Sequence, residues 1–515
     1  MHATLKPQLP GVVYTGERLH QMTSLWNAEN YWLTRTVFQR GLGLIYLIAF
    51  LNAANEFKPL LGVHGLLPVQ KWIQQATIRE SPSIFFLTAT DGAFTLAAWA
   101  GVALSCLVLS GLSERGATWI SALVWALLYL LYLSFVNVGQ IFYGFGWESI
   151  LLEAGFYAIF LGASRSRPQF ITILLVRWLC FRVMFGAGLI KLRGDPCWRD
   201  MTCLNYHYET QPMPNPLSWF FHWGPAWTHT AGVWFNHFAE LVAPFGYFLP
   251  QPIASATAII TIVFQGLIMA SGNLSWLNLL TIVLAVPALD DRVLRLIVPV
   301  SQPALLTPGM AHRWAIIALT VVVTWLSIKP IRNMLSPHQV MNTNFNPLHL
   351  VGTYGAFGGI TRTRYEVVVE GTESETLNDS AAWREYEFRG KPNATNRMPP
   401  QIAPYHLRLD WLMWFAAMSE YYEHPWFVHF VGKLLEGDAS VLSLLRSNPF
   451  PSRPPRYIRA ELYEYHFTSP DERRRTGQWW QRQLAGHYFP AVSLDTPEFR
   501  KILESQGWLP QPASK

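Results

Sequence analysis

Long apolar stretches set the first limit on how this chain folds. Nine segments, roughly 37–57, 88–112, 118–138, 149–163, 170–190, 231–249, 253–271, 275–289 and 314–329, are rich in aliphatic and aromatic residues and poor in charge. A helix needs about 20 such residues to cross the hydrocarbon core of a bilayer. Hydrophobic residues make up 51% of the 515 and charged residues only 14%, where soluble domains carry roughly 25% charged residues. A larger core does not account for so few charges. The expectation is an α-helical polytopic membrane bundle of about nine spans over residues 1–329. Segments 149–163 and 275–289 are short for a crossing, and 83–90 reads as an interfacial or re-entrant piece.

Loop charges orient the bundle through the excess of Lys and Arg on the cytoplasmic side. With a cytoplasmic N-terminus, Lys6, Arg18, Arg35, Arg115, Arg165, Arg167, Arg292, Arg295 and Arg313 fall inside. Lys58, Lys71, Arg79, Lys191, Arg193 and Arg199 fall outside. Nine spans then place the C-terminus in a lumen or periplasm. Residues 1–20 lack the apolar core of a cleavable signal, so the first span is expected to act as an uncleaved insertion signal. Many of the 23 Trp lie near span ends, where amphipathic rings favour the interface. The formal charge of +6 comes without the basic-aromatic interleaving of a nucleic-acid surface, so no nucleic-acid partner is expected.

From about residue 330 the apolar runs stop. The stretches "YEVVVEG" (365–371), "WREYEFRG" (383–390) and "YIRAELYEYHF" (457–467) alternate like strands. "RLDWLMWFAAMS" and "PWFVHFVGKLLEG" read as amphipathic helices, the second closed by Gly437. Residues 330–515 are therefore expected to form a small α+β extramembrane domain around an antiparallel sheet.

The chemistry-bearing residues cluster in and around the fifth span. Cys197 and Cys203 begin a long outer loop at 191–230, where a disulfide, two free thiols or a redox pair are all open; the Cys-x-x-Cys spacing of a redox pair is missing. Arg40, Glu153, Arg177, Arg182, His237 and Glu240 are ionisable residues within spans, a costly placement that usually faces a protein interior or cavity. On a helix, Arg177 and Lys191 fall within about 40° of each other, and His237 and Glu240 share a face. These residues either fix helix register as buried pairs or line a polar chamber roofed by the 191–230 loop. His237 and Glu240 have no third or fourth metal ligand, so no metal is expected. Trp198, Tyr206, Tyr208, Trp219 and Phe220 offer either a surface for unfolded client segments or part of an interfacial belt.

Many unusual blocks occur in order along nearly the whole chain: "YWLTRTVFQRGLGLIYLIAFLNAANEF", "GWESILLEAGFYAIFLG", "FGAGLIKLRGDPCWRDMTCLNYHYETQPMPNP", "FNHFAELVAPF", "TYGAFGGITRTRYEVVVEG" and "NPFPSRPPRYIRAELYEYHF". Together they resemble the lipase maturation factor family. The resemblance implies a multi-pass membrane protein that brings secreted lipases, or other exported clients, to an active state. It implies the endoplasmic reticulum membrane in a eukaryote or the inner membrane in a bacterium, with the C-terminal region lumenal or periplasmic. A shorter stretch, "FGAGLIKLRGDPCW", is similar to a segment of vitamin K-dependent gamma-carboxylases in which a lysine acts as catalytic base; Lys191 holds the matching place. Two functions follow. One is a folding or maturation factor, without enzymatic activity or cofactor, working among membrane lipids. The alternative is a membrane enzyme with Lys191 as base and a quinone-type lipid cofactor.

Overall fold

The computed structural model describes residues 27–508. Lys6, Arg18 and the leader reading of residues 1–20 lie outside them. Among the described residues six helices are long and apolar enough to cross a membrane: Glu29–Leu61, Asp91–Leu109, Thr118–Val138, Phe170–Arg193, Ile253–Ser271 and Met310–Leu335. The other three of the nine expected spans do not form long helices and fold as shorter pieces. Segment 149–163 gives a buried helix, Gly146–Ala158. Segment 275–289 gives Leu277–Ala285 and a 3-10 turn at Val286–Ala288. Segment 231–249 begins inside the helix Ala226–His237, loosens into a π-helical turn at Phe238–Val242 and tightens into a 3-10 helix at Ala243–Phe248. Pro244 lies in that last element and has no N–H to continue an α-helical ladder. The stretch 83–90 holds a 3-10 turn, Ile84–Phe86, with Ser83 accepting from the Phe85 N–H.

Polar contacts, buried at Arg35 and partly exposed at Arg40 and Arg167, gather one set of cations at one end of the bundle. Arg35 donates to the carbonyls of Ser164 and Ser166 at 2.9 and 2.7 Å, Arg40 pairs with Glu114 at 2.7 Å, and Arg167 pairs with Glu29 at 3.0 Å. The C-terminal part docks at the opposite end, where Lys71 donates to the Gly507 carbonyl at 2.6 Å and the Nδ1–H of His429 to that of Leu66 at 2.7 Å.

That C-terminal part is a four-stranded antiparallel sheet in the order β2-β1-β3-β4, with helices packed against it. β1 is Arg364–Thr372 and β3 is Tyr457–Phe467, as the alternation predicts. β2 shrinks to Arg384–Glu385. The longest strand, β4 (Trp480–Val492), was not expected, because "WQRQLAGHYFPAV" does not alternate cleanly. It pairs with β3 through three register shifts, so one face does not stay in step along its length. Both expected helices form, at Arg408–Ala416 and Pro425–Glu436. Gly437 ends the second with φ 66°, a left-handed conformation that glycine adopts without steric cost.

Candidate functional site

The Phe170–Arg193 helix packs closely against the loop 352–360. A Cβ at Gly194 would collide with the Gly358 carbonyl oxygen, and one at Gly186 with that of Tyr354. This contact seals one side of the bundle around Lys191. The Lys191 ammonium is buried and uses all three donors: to Asn236 Oδ1 at 2.8 Å and to Glu240 Oε1 and Oε2 at 2.7 and 2.8 Å. The Asn236 amide also donates to Glu240 at 3.1 Å, and the Trp198 ring lies 5.0 Å from the ammonium. The π-helical turn sets this geometry. An added residue in a helical turn shifts the side chains that follow it, and Glu240 sits within that turn.

The other intramembrane charges do not join Lys191 in one chamber. Arg182 pairs with Glu153, which also accepts from Tyr157 at 2.5 Å and from Tyr354 at 2.7 Å. Among the described residues Arg177 pairs with no carboxylate; it donates to the carbonyls of Pro287 and Tyr247 at 2.8 and 2.9 Å and to the Tyr31 hydroxyl at 3.0 Å. The shared helix face of Arg177 and Lys191 is real, but about four turns of helix separate them. Arg40 is held by Glu114 rather than Glu153. His237 donates its Nε2–H to the Trp198 carbonyl at 2.9 Å, away from the partner of Glu240. Among the described residues no group of three or more His, Cys, Asp or Glu gathers as a metal site.

The 191–230 loop is a platform for the C-terminal sheet rather than a free aromatic surface. Trp198, Tyr208 and Trp219 are buried, and of the five aromatics only Phe220 is exposed, over about half its surface. The Trp219 indole donates to the Thr468 carbonyl at 2.9 Å and its ring meets Trp479 edge-on. Arg362 lies over the Tyr206 ring. Arg364 reaches from β1 to the carbonyls of Glu209, Gln211 and Pro212, while pairing with Glu366, which also holds Lys391 at 2.9 Å. Cys197 and Cys203 stand with Cα atoms 4.8 Å apart, within the span of a disulfide. Asp195 turns the chain before them and accepts from the Cys197 N–H and from Arg362, whose guanidinium holds that carboxyl below its usual range.

A second buried centre, absent from the sequence reading, joins the two halves. Arg408 donates to Glu148 at 2.8 Å, to Asn52 Oδ1 at 2.7 Å and to the Phe142 carbonyl at 2.7 Å, and its own N–H donates to Glu56 at 3.0 Å. Its guanidinium lies 3.5 Å from the Tyr143 ring centroid. Next to it, His406 sits among the rings of Phe145, Trp147, Trp276 and Trp411, and burial holds its imidazole neutral. The signal was in view: Glu148 lies five residues before Glu153 in the same block, and Arg408 and Asp410 open a helix that is apolar beyond them. Nothing in a linear pattern pairs residues 260 apart.

Between these two centres lies a cavity of about 670 Å³. Lys191, Glu240 and Tyr354 reach it from one side and Trp411, Trp414 and Phe415 from the other. Arg40, Arg177 and His237 do not line it.

The fold and its buried joints define a class: an integral membrane helical bundle carrying a docked α+β domain, with an apolar cavity at the joint. The chain matches the lipase maturation factor transmembrane domain over residues 33–296 and the lipase maturation factor C-terminal domain over 350–490. It is 42% identical to lipase maturation factor 1 of Bos taurus, covering 94% of this chain and 93% of the relative. It is 42% identical to that of Homo sapiens, covering 98% and 95%. It is 31% identical to lipase maturation factor 2 of Xenopus laevis, covering 94% and 85%. No solved structure matches the chain. The protein belongs to the lipase maturation factor family. The carboxylase alternative finds no support: both matching domain families are those of lipase maturation factors, and the Lys191 ammonium has given every donor to Glu240 and Asn236.

Proposed function

We propose that this chain is a membrane-resident maturation factor that brings newly made secreted lipases to their active state. The observation that carries the reading is collinear similarity, at 42% identity, to lipase maturation factor 1 through both the bundle and the docked domain. In this reading the three shorter apolar segments traverse the bundle along with the six long helices, an odd number. The N-terminus is then cytoplasmic, while the C-terminal domain and the 191–230 loop face the lumen of the endoplasmic reticulum, or the periplasm in a bacterium. Glu148 and Asn273, before two of the short segments, meet the docked domain, and Ser164 and Asp291, after them, meet Arg35 and Thr34 at the opposite end. The separation of Arg35, Arg40 and Arg167 from the docked domain, at opposite ends of the bundle, supports this orientation. An oxidising compartment lets Cys197 and Cys203 join as a disulfide. The buried ion pairs hold the platform rigid, and client contact falls to what remains exposed on it: Phe220, with Trp223 and Trp227 nearby in sequence. Lys191 is then a positioning residue. No cofactor is required.

The test follows newly made lipase rather than the factor. Pulse-labelled lipase in cells lacking an endogenous factor is sedimented with and without this chain. The reading predicts a shift from aggregates to the soluble, assembled form. An unchanged profile at verified expression of the chain would remove lipase as the client.

A further inference from the structure

The cavity between the Lys191 centre and the Arg408 centre has a chemistry of its own. Its walls are mainly apolar, including Ile150, Val183, Met184, Ala187 and Ile268. Its volume falls within the roughly 300–1,000 Å³ of small-molecule sites. Ile141, Met341, Phe415 and Met418 line it and are also solvent-exposed, and Asn342 is the one exposed polar side chain of its lining, so its rim is mainly apolar. A water-soluble ligand has no use for such an entrance, whereas a lipid does. The charged pair in the wall, Lys191 and Glu240, is internally neutralised. An ionised head group would enter without a counter-charge, at high cost in an apolar site.

A polar wall supplies the remaining specificity. Gln265, Asn278 and Thr281 line the cavity and are each more than nine-tenths buried. Asn278 donates to Gln265 Oε1 at 2.6 Å, and Thr281 gives its hydroxyl hydrogen to the Leu277 carbonyl at 2.9 Å. No protein donor among the described residues reaches the Asn278 side-chain oxygen. The Thr281 hydroxyl likewise keeps free lone pairs. Polar residues in membrane segments are expensive and mark binding sites when they face a cavity. These atoms accept hydrogen bonds, so the matching head group donates them.

We infer that this cavity binds an uncharged single-chain lipid with a hydroxyl head group, the chemistry of a monoacylglycerol or long-chain alcohol. The chain lies along the aliphatic walls and the hydroxyls meet Asn278 and Thr281. Trp411, Trp414 and Phe415 belong to the C-terminal part, so the ligand contacts both halves and favours their docked arrangement. The inference stands on the cavity alone and does not depend on lipase being the client.

The experiment uses the purified full chain in detergent with a photoactivatable monoacylglycerol, and the corresponding fatty acid as the charged comparison. Cross-linked peptides are mapped by mass spectrometry. Saturable labelling of 265–281 and 411–418 is expected, competed by unlabelled monoacylglycerol. Ile268→Trp, which fills the cavity, is expected to abolish it. Ile259→Trp, on an exposed helix face, leaves it intact. Asn278→Leu keeps the shape, removes the acceptor and weakens binding about three- to tenfold, the worth of one hydrogen bond; it carries the test if Ile268→Trp fails to fold. Labelling that is non-saturable and spread over lipid-facing helices would overturn the proposal. So would labelling by the fatty acid equal to that by the neutral lipid.

Discussion

Replacing Arg408 by Met should loosen the joint between the bundle and the C-terminal domain more than any surface change. The guanidinium is fully buried and makes three side-chain hydrogen bonds, one to the Glu148 carboxylate. Methionine keeps much of the volume but leaves Glu148 buried with its Tyr132 hydroxyl contact and no cation. Removing one member of a buried ion pair costs about 3–5 kcal/mol, chiefly because the other charge is stranded. At about 1.4 kcal/mol per tenfold, the docked-to-undocked ratio falls by roughly 140- to 3,700-fold. Hydrogen exchange of the backbone amides of Arg408–Ala416 in detergent micelles reads this ratio directly, since those amides exchange when the helix leaves the bundle. Pairing Arg408→Met with Glu148→Met removes the stranded charge, and protection should largely return. If the double variant exchanges as fast as the single one, the ion pair is not what holds the joint and the reasoning fails.

Lys191→Met alone should destabilise the bundle by a similar ~3–5 kcal/mol, because Glu240 is stranded, while Lys191→Met with Glu240→Leu recovers most of the loss; thermal unfolding in detergent reads both, and an inert single variant would contradict the pairing. Maleimide should label neither Cys197 nor Cys203 in membranes until a reductant is added, and Cys197→Ser with Cys203→Ser should cost about 2 kcal/mol of loop stability; labelling without reductant would remove the lock. Acid should weaken the fold through His207, His349 and His429, each pushed down to about 4 by burial. Their unfolded values lie near 6.5, so the unfolded chain binds more protons between those limits. Stability is therefore complete above pH 6.5 and falls as pH drops towards 4. The pH dependence of unfolding measures it, and a stability flat across that window would exclude these histidines.

Local pattern carried much of this fold. Apolar runs marked every long helix, and period-2 alternation placed β1 and β3 to within a residue at each end. What failed was non-local. The span at 231–249 looks continuous in hydropathy, yet it breaks where Pro244 and a π-turn reset the helix. Of the three expected spans that form no long helix, 149–163 and 275–289 fold as short buried helices, whereas 231–249 leaves Trp234, Phe238 and Phe245 exposed; hydropathy alone does not set the length of a helix. β4 escaped notice because its register shifts erase the alternation. At the site, Lys191 and Glu240 were singled out as charges within apolar helices and do meet. Arg177 was expected beside them on angular grounds, but angle without height along the helix axis does not place a side chain. The Arg408 centre needed partners about 260 and 350 residues away, at Glu148 and at Asn52. The loop aromatics read equally as a client surface or an interfacial belt because what buries them is distant in sequence: the strand end that covers Trp219 lies more than 200 residues downstream, and Trp198 is held by the Phe357 carbonyl.

The central claim is maturation of a secreted lipase, and its most direct measure is the specific activity of that lipase. In cells lacking an endogenous factor, lipase activity per unit of lipase mass in the medium is compared with and without this chain at matched lipase synthesis. The account predicts that the chain restores specific activity, and that Lys191→Met with Glu240→Leu restores it as well at matched membrane levels, since Lys191 positions rather than reacts. Unchanged specific activity with the wild-type chain would contradict the maturation reading; rescue by wild type but not by the stable double variant would contradict the structural role assigned to Lys191.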